Sequence, residues 1–133
     1  PMAGHLAARG VDLTVFNRTA AKADAFVKSH KARAAATPAL AAEGADIVIA
    51  CLGDDPDIDA VLGDVLPVVR QNTLIVDHST ASPDLARRLA AAFAERGASF
   101  IDAPVSGGEA GAKAGKLSVM CGGEAAAVER SRM

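Results

Sequence analysis

Three segments of this chain repeat one arrangement: an alanine-rich amphipathic stretch, a glycine, then a short apolar run. They read A-A-R-G-V-D-L-T-V-F at 7–16, A-E-G-A-D-I-V-I-A at 42–50 and A-E-R-G-A-S-F-I-D-A at 94–103. Gly10, Gly44 and Gly97 stand where a helix ends in left-handed backbone, which glycine accepts without strain. The apolar runs that follow predict strands buried on both faces. Helix starts are equally legible. Thr37-Pro38 and Ser82-Pro83 each place a hydroxyl N-cap before a proline at the first helical position. After Pro83, Leu85, Leu89 and Phe93 recur every four residues as one apolar stripe, and Ala23, Phe26 and Val27 form a weaker one. The spacing predicts helices over 1–9, 20–29, 38–43, around 56–70 and over 83–96. It predicts strands over 11–16, 33–35, 46–51, 73–77, 98–102 and 117–121, with a final short helix from near Glu124. Such alternation implies an α/β fold whose right-handed crossovers build a mostly parallel sheet covered on both faces. The 133 residues suit one domain with one core.

The segment from Asp102 to Gly123 gathers Gly107, Gly108, Gly111, Gly115, Gly122 and Gly123 around Ser106. Glycine costs backbone entropy on folding, so such a cluster needs a geometric reason. Backbone amides in successive turns can form a concavity that binds an anion. A flexible surface loop is the bland alternative. The flanks F-I-D-A-P-V and L-S-V-M-C read as buried strand ends and argue against it.

Composition narrows the function classes. The net charge is −2 with acids and bases interspersed, and no basic stripe carries aromatic residues, so nucleic acid is not an expected partner. No apolar run reaches the length of a bilayer span, and the first residues show no charged region followed by an apolar core. A cytoplasmic protein without membrane contact is therefore expected. Cys51 and Cys121 lack the spacing of a metal site or redox pair and read as small buried hydrophobes in a reducing compartment. His5, His30 and His78 are isolated, and no metal site is expected.

In an open parallel α/β sheet, ligands bind beyond the carboxyl ends of the strands. Four predicted strand ends carry polar or glycine-bearing turns: Asn17-Arg18-Thr19, Leu52-Gly53-Asp54-Asp55, Asp77-His78-Ser79-Thr80 and Pro104-Val105-Ser106-Gly107-Gly108. All four fall on one edge of the expected sheet. In dinucleotide folds, an acid at the end of the second strand suits the free hydroxyls of NAD, whereas an arginine accommodates the 2′-phosphate of NADP. No acid occupies the first turn and Arg18 does, which favours NADP and leaves NAD possible. The competing reading of Arg18 is a solvated surface side chain beside a helix N-cap at Thr19. The glycine fingerprint G-x-G-x-x-G is absent from these residues.

Together these residues closely resemble the β-hydroxyacid dehydrogenase family, which includes 3-hydroxyisobutyrate dehydrogenase, tartronate semialdehyde reductase and the glyoxylate/succinic semialdehyde reductases. D-A-P-V-S-G-G with A-G-A-K-A-G-K-L-S-V-M-C-G-G is similar to that family's substrate-binding signature. P-M-A-G-H-L resembles the segment after its glycine-rich cofactor loop, N-R-T the turn of its NADP-preferring branch, and D-H-S-T-A-S-P its motif after the fifth strand. The resemblance covers essentially the whole chain. It implies a Rossmann-type doubly wound sheet lacking the family's first strand and glycine loop. Residues 1–133 would form part of an NAD(P)-binding domain, the helical C-terminal domain being absent.

By that resemblance, Asn17, Arg18 and Thr19 would contact the adenosine ribose and its phosphate. Leu52 and Gly53 would line the cofactor cleft, and Thr80 would approach the nicotinamide. Ser106, Gly107 and Gly108 would hold a small carboxylate substrate. The family's catalytic lysine lies beyond Met133, and Lys113 and Lys116 do not match its motif, so no catalytic residue is assigned within this chain. The parent enzyme, expected to be a homo-oligomer, would transfer hydride between NADP(H) and a small 3-hydroxy acid or aldehyde-acid. An imine reductase of the same superfamily and a non-catalytic cofactor-binding or interaction module are the alternatives. Without its first strand, the chain is expected to be marginally stable, prone to aggregation, or rearranged so that 11–16 pairs with 46–51. Without its loop it should bind NADP weakly and turn nothing over.

Overall fold

Strands and helices alternate as the glycine-punctuated pattern requires. A computed structural model describes residues 1–132. In chain order it contains α1 (Met2–Ala8), β1 (Thr14–Val15), α2 (Ala20–Ser29), β2 (Arg33–Ala34), α3 (Pro38–Ala42), β3 (Ile47–Ala50), α4 (Asp55–Val65) and β4 (Leu74–Asp77). It continues with α5 (Pro83–Glu95), β5 (Ser99–Asp102), β6 (Val105–Ser106), α6 (Gly108–Ala114), β7 (Ser118–Val119), β8 (Gly122–Gly123) and α7 (Ala125–Arg130). Gly10, Gly44 and Gly97 have φ of 77°, 74° and 71°, the left-handed backbone expected after helix ends. Thr37 Oγ1 accepts from the Leu40 amide at 3.1 Å, and Ser82 Oγ from the Leu85 amide at 3.3 Å, so both hydroxyl caps form. Thr19 occupies the N-cap position of α2 but its hydroxyl makes no cap. Asn17 Oδ1 instead accepts from the Thr19 amide at 2.9 Å, because a short amide side chain reaches the backbone two residues on.

β3, β4 and β5 pair in parallel in the order of the sequence, and β8 adds antiparallel to β5. β1 and β2 form a separate parallel pair, and β6 and β7 an antiparallel one. The expected direct pairing of segments 11–16 and 46–51 does not occur: β1 bonds to β2 and β3 to β4.

The core lies between the β3–β4–β5 sheet and helices α4 and α5. Ile58, Leu62 and Val65 of α4 and Leu85, Leu89 and Phe93 of α5 pack on Ile75, Ala98 and Phe100. The rings of Phe93 and Phe100 stack 6.0 Å apart. On the opposite face Leu74, Val76, Ile101 and Ala103 meet Ala127 of α7. β4 is buried along its whole length, as a central parallel strand should be. The expectation of two-sided burial also holds at β5, where Phe100 and Ile101 are buried on opposite faces, and fails at β1 and β3. Ile49 of β3 is 46% exposed and β1 is only half-buried, because each lies at an edge of its sheet. Cys51 and Cys121 are exposed rather than buried. Cys51 lies just past the end of β3 and Cys121 in the link between β7 and β8. Among the described residues, no helix is long and apolar enough to cross a membrane.

The glycine segment differs most from expectation. Its middle is helix α6, ended by Gly115 in left-handed backbone. The predicted strand over 117–121 shrinks to β7, and Gly122–Gly123 forms an edge strand beside β5.

Candidate functional site

Four turns leave the carboxyl ends of β1, β3, β4 and β5, and side chains join them to one another. The first holds Asn17, Arg18 and Thr19, all exposed. The Asn17 hydrogen bond to the Thr19 amide shapes it, and the Arg18 guanidinium donates to Asp57 Oδ1 at 2.6 Å. Asp57 lies in the first turn of α4, the helix that follows β3. The turn after β1 is thereby tied to the turn after β3.

Leu52 and Gly53 fill that second turn, and Asp54 closes it by accepting from the Asp57 amide at 3.2 Å, the N-cap of α4. The Leu52 amide donates to Ser79 Oγ at 2.8 Å, which joins this turn to the one after β4. Position 53 has little room: a Cβ there would lie 3.1 Å from Asp57 Oδ2.

In the third turn Asp77 Oδ1 accepts from the Ser79 amide at 2.9 Å. Asp77 is fully buried, and its Oδ2 has no partner among the described residues. His78 Nδ1–H donates to the Ala103 carbonyl at 2.8 Å, so the proton resides on Nδ1 and the turn after β4 is fixed to the chain leaving β5. Thr80 follows, exposed. Asp102 is the register partner of Asp77. Burial, and then the charge of Asp77, push its carboxyl above the ordinary aspartate range.

The fourth turn runs through Pro104 into β6. Ser106 pairs with Ser118 of β7 and is exposed. Gly107 has φ 135° and Gly108 φ 60°, backbone that L side chains rarely adopt. A Cβ on Gly107 would also lie 3.1 Å from Leu117 Cδ2. These glycines let the chain reverse from β6 into α6 with their backbone exposed.

The contacts Arg18–Asp57, Leu52–Ser79 and His78–Ala103 thus run in sequence along one rim and bring Arg18, Leu52, Gly53 and Thr80 together. Ser106, Gly107 and Gly108 follow Ala103 by three to five residues, in the separate β6–β7 pair and its turn. The rim is an open surface. Two concavities of about 410 and 370 Å³ lie elsewhere, one at the starting ends of β3 and β4 and one between Gly10 and Arg33, and neither includes an expected site residue. Sequence reasoning missed Asp57, Ser79 and Asp77. Ser79 and Asp77 stood inside a motif that was read for Thr80. Asp57 lies 39 residues from Arg18, and no local pattern connects them.

Residues 1–133 match the family described as the NAD binding domain of 6-phosphogluconate dehydrogenase. An uncharacterized oxidoreductase of Shewanella frigidimarina is 48% identical over 129 residues, covering 95% of this chain and 44% of that protein. The 3-hydroxyisobutyrate dehydrogenase of Mycobacterium tuberculosis, solved with L-serine, superposes with a TM-score of 0.93 at 32% identity, covering 99% of this chain and 45% of that one. An imine reductase of Streptomyces aurantiacus superposes with a TM-score of 0.86 at 32% identity, over 98% and 46%. The chain spans about half the length of the relatives it matches.

Proposed function

Because the chain belongs to the family of the NAD binding domain of 6-phosphogluconate dehydrogenase, we propose that it forms the dinucleotide-holding part of a 3-hydroxyacid oxidoreductase that uses NADP(H). The observation that carries this reading is the stitched rim, on which a cation, a bare glycine and a hydroxyl follow one another across three strand ends. These groups suit an extended dinucleotide. Arg18, with Asn17 and Thr19, faces the adenosine ribose and its 2′-phosphate. Leu52 and Gly53 lie under the middle of the molecule, where the missing side chain at position 53 leaves the backbone accessible. Thr80 lies toward the nicotinamide.

Bound there, the nicotinamide supplies or takes the hydride. The chain's own residues bind and orient. The Ser106 hydroxyl and the amides near Gly107 and Gly108 hold the carboxylate of a small hydroxy acid or aldehyde-acid at the end of the rim. The general acid/base of such a reaction gives a proton to the carbonyl oxygen and removes it in reverse. We assign that role to no residue within 1–133. Lys113 and Lys116 lie inside the glycine segment and do not match the motif of the family's lysine. The two exposed thiols suit a reducing cytoplasm.

An imine reductase is the second reading, favoured by the structural similarity reported above. The polar, carboxylate-accepting Ser106 turn supports the hydroxyacid reading over it, since an imine brings no anion to that position.

Fluorescence titration with NADPH tests the proposal. Gly53→Val puts a branched side chain into the cleft against Asp57, and its expected effect is a loss of NADPH affinity of about tenfold or more, on the order of 1.4 kcal/mol. The melting temperature should stay near that of the unaltered protein, because residue 53 is exposed. Undiminished affinity in Gly53→Val, or no binding by the unaltered protein, overturns the reading.

A further inference from the structure

Arg18 is the group on which a preference for NADP rests, and it is not free. Its guanidinium donates to Asp57 at 2.6 Å. The carboxylate comes from another element, the first turn of α4, and α3 packs against both β1 and α4 to hold the two together. Asp57 is also fixed from its own side, since its amide is taken by the Asp54 carboxylate at 3.2 Å. Its second oxygen faces Gly53, 3.1 Å from where a Cβ would stand. One carboxylate therefore holds the cation at the adenosine end and stands beside the space that a side chain at Gly53 would fill. The first turn supplies no acid of its own, but the fold brings one to it from elsewhere.

We propose that Asp57 is a specificity-determining residue that holds Arg18 and thereby weakens this rim's preference for a dinucleotide carrying a 2′-phosphate. The inference rests on the dinucleotide reading given above. A 2′-phosphate arriving at Arg18 must either displace the Asp57 carboxylate or accept a negative charge beside it. Either cost falls on NADP(H) alone, because NAD(H) presents only hydroxyls at that position. The same carboxylate is an acceptor for those hydroxyls, in the manner of the acid that serves NAD in related folds. Arg18 is 81% exposed and Asp57 is half-buried, so the pair is screened by water and its influence is modest. Salt weakens it further.

The test measures dissociation constants for NADPH and NADH on the whole polypeptide, unaltered and as Asp57→Asn, Arg18→Ala and the double variant. Asp57→Asn is expected to tighten NADPH roughly two- to fivefold, the range an exposed ion pair supports, with NADH unchanged or weakened. The gain should shrink as ionic strength rises, and should vanish in the Arg18→Ala background, where no guanidinium remains to release. Thermal melts report whether each variant stays folded, and Asp57→Glu, which keeps the charge, should retain the original ratio. An unchanged NADPH/NADH ratio in Asp57→Asn, or a gain that persists without Arg18, overturns the proposal while leaving the dinucleotide reading intact. Binding of neither dinucleotide by the unaltered protein overturns both.

Discussion

Asp77 and Asp102 stand opposite each other at the ends of β4 and β5, and one oxygen of Asp77 is buried without a partner among the described residues. Burial, and then the Asp77 charge beside it, make ionisation of Asp102 costly. For Asp102 the folded value lies above the unfolded one, about 3.9, through burial first and the Asp77 charge second. The folded state therefore holds that proton more tightly than the unfolded chain. The stability this gives is full below the unfolded value and is lost as pH rises through the higher folded one. Asp102→Asn keeps the position neutral throughout. Denaturant melts of the variant should show a smaller fall in stability than the unaltered protein from about pH 4 upward, and parallel curves would overturn the assignment. Asp55 has the opposite sign: the hydrogen bonds it accepts from Ser82 hold its carboxyl low, so its contribution is present above the unfolded value and lost in acid. At this scale the sequence showed which side chains sit in turns but not which ones meet. Arg18 was legible as a turn cation, while its partner Asp57 follows a different strand. Asp102 was read only as part of a motif, since nothing local reveals that a neighbouring strand sets Asp77 beside it.

Helix α5 shows how much of an element local sequence can specify. Ser82 caps it, Pro83 opens it, and Leu85, Leu89 and Phe93 fall on one buried face. Phe93 is fully buried against Phe100. Phe93→Ala should cost about 3–5 kcal/mol, the lost transfer energy plus that of the cavity left behind. That is a large share of the roughly 5–15 kcal/mol typical of a domain, so urea melts of the variant should show a midpoint lowered by about 1 M or more. A loss under about 1 kcal/mol would mean that the two faces do not pack as described. Helix α6 is the converse case. Gly111 costs about 1 kcal/mol relative to alanine inside a helix, and Gly107 and Gly108 before it have positive φ, which hid the element from propensity. Two signals were nonetheless present: Glu109 and Lys113, four apart and paired at 2.6 Å, and Gly115 as a left-handed cap. β6 and β8 are two residues each, too short for any period to show. They form only because a neighbouring strand supplies their hydrogen bonds.

Across the molecule, stability is unevenly distributed. β4 has strands on both sides and packed side chains on both faces, whereas β1 and β2 form a two-stranded pair whose residues are half-buried or exposed. Two strands alone are marginal in water. The pair is held to the larger sheet by α3 and by the exposed Arg18–Asp57 contact. Segments of this kind open locally at a smaller free energy than the whole. Amide hydrogen exchange should therefore rank β4 and β5 as most protected, with β1, α2 and β2 exchanging through an opening that leaves the larger sheet intact. On the proposed reading, a dinucleotide lying along the rim would touch both parts, Arg18 on one and Leu52, Gly53 and Thr80 on the other. Binding only the state in which both are docked, it must stabilise the weaker attachment in proportion to its saturation. Added NADPH should thus slow exchange in 14–34 more than in β4 and β5, and by a larger factor in Asp57→Asn, where Arg18 is released to the ligand. Equal slowing everywhere would mean that the ligand acts on global unfolding alone. Slowing confined to β4 and β5 would mean that it never reaches the β1 turn, and the order of contacts along the rim would have to be redrawn.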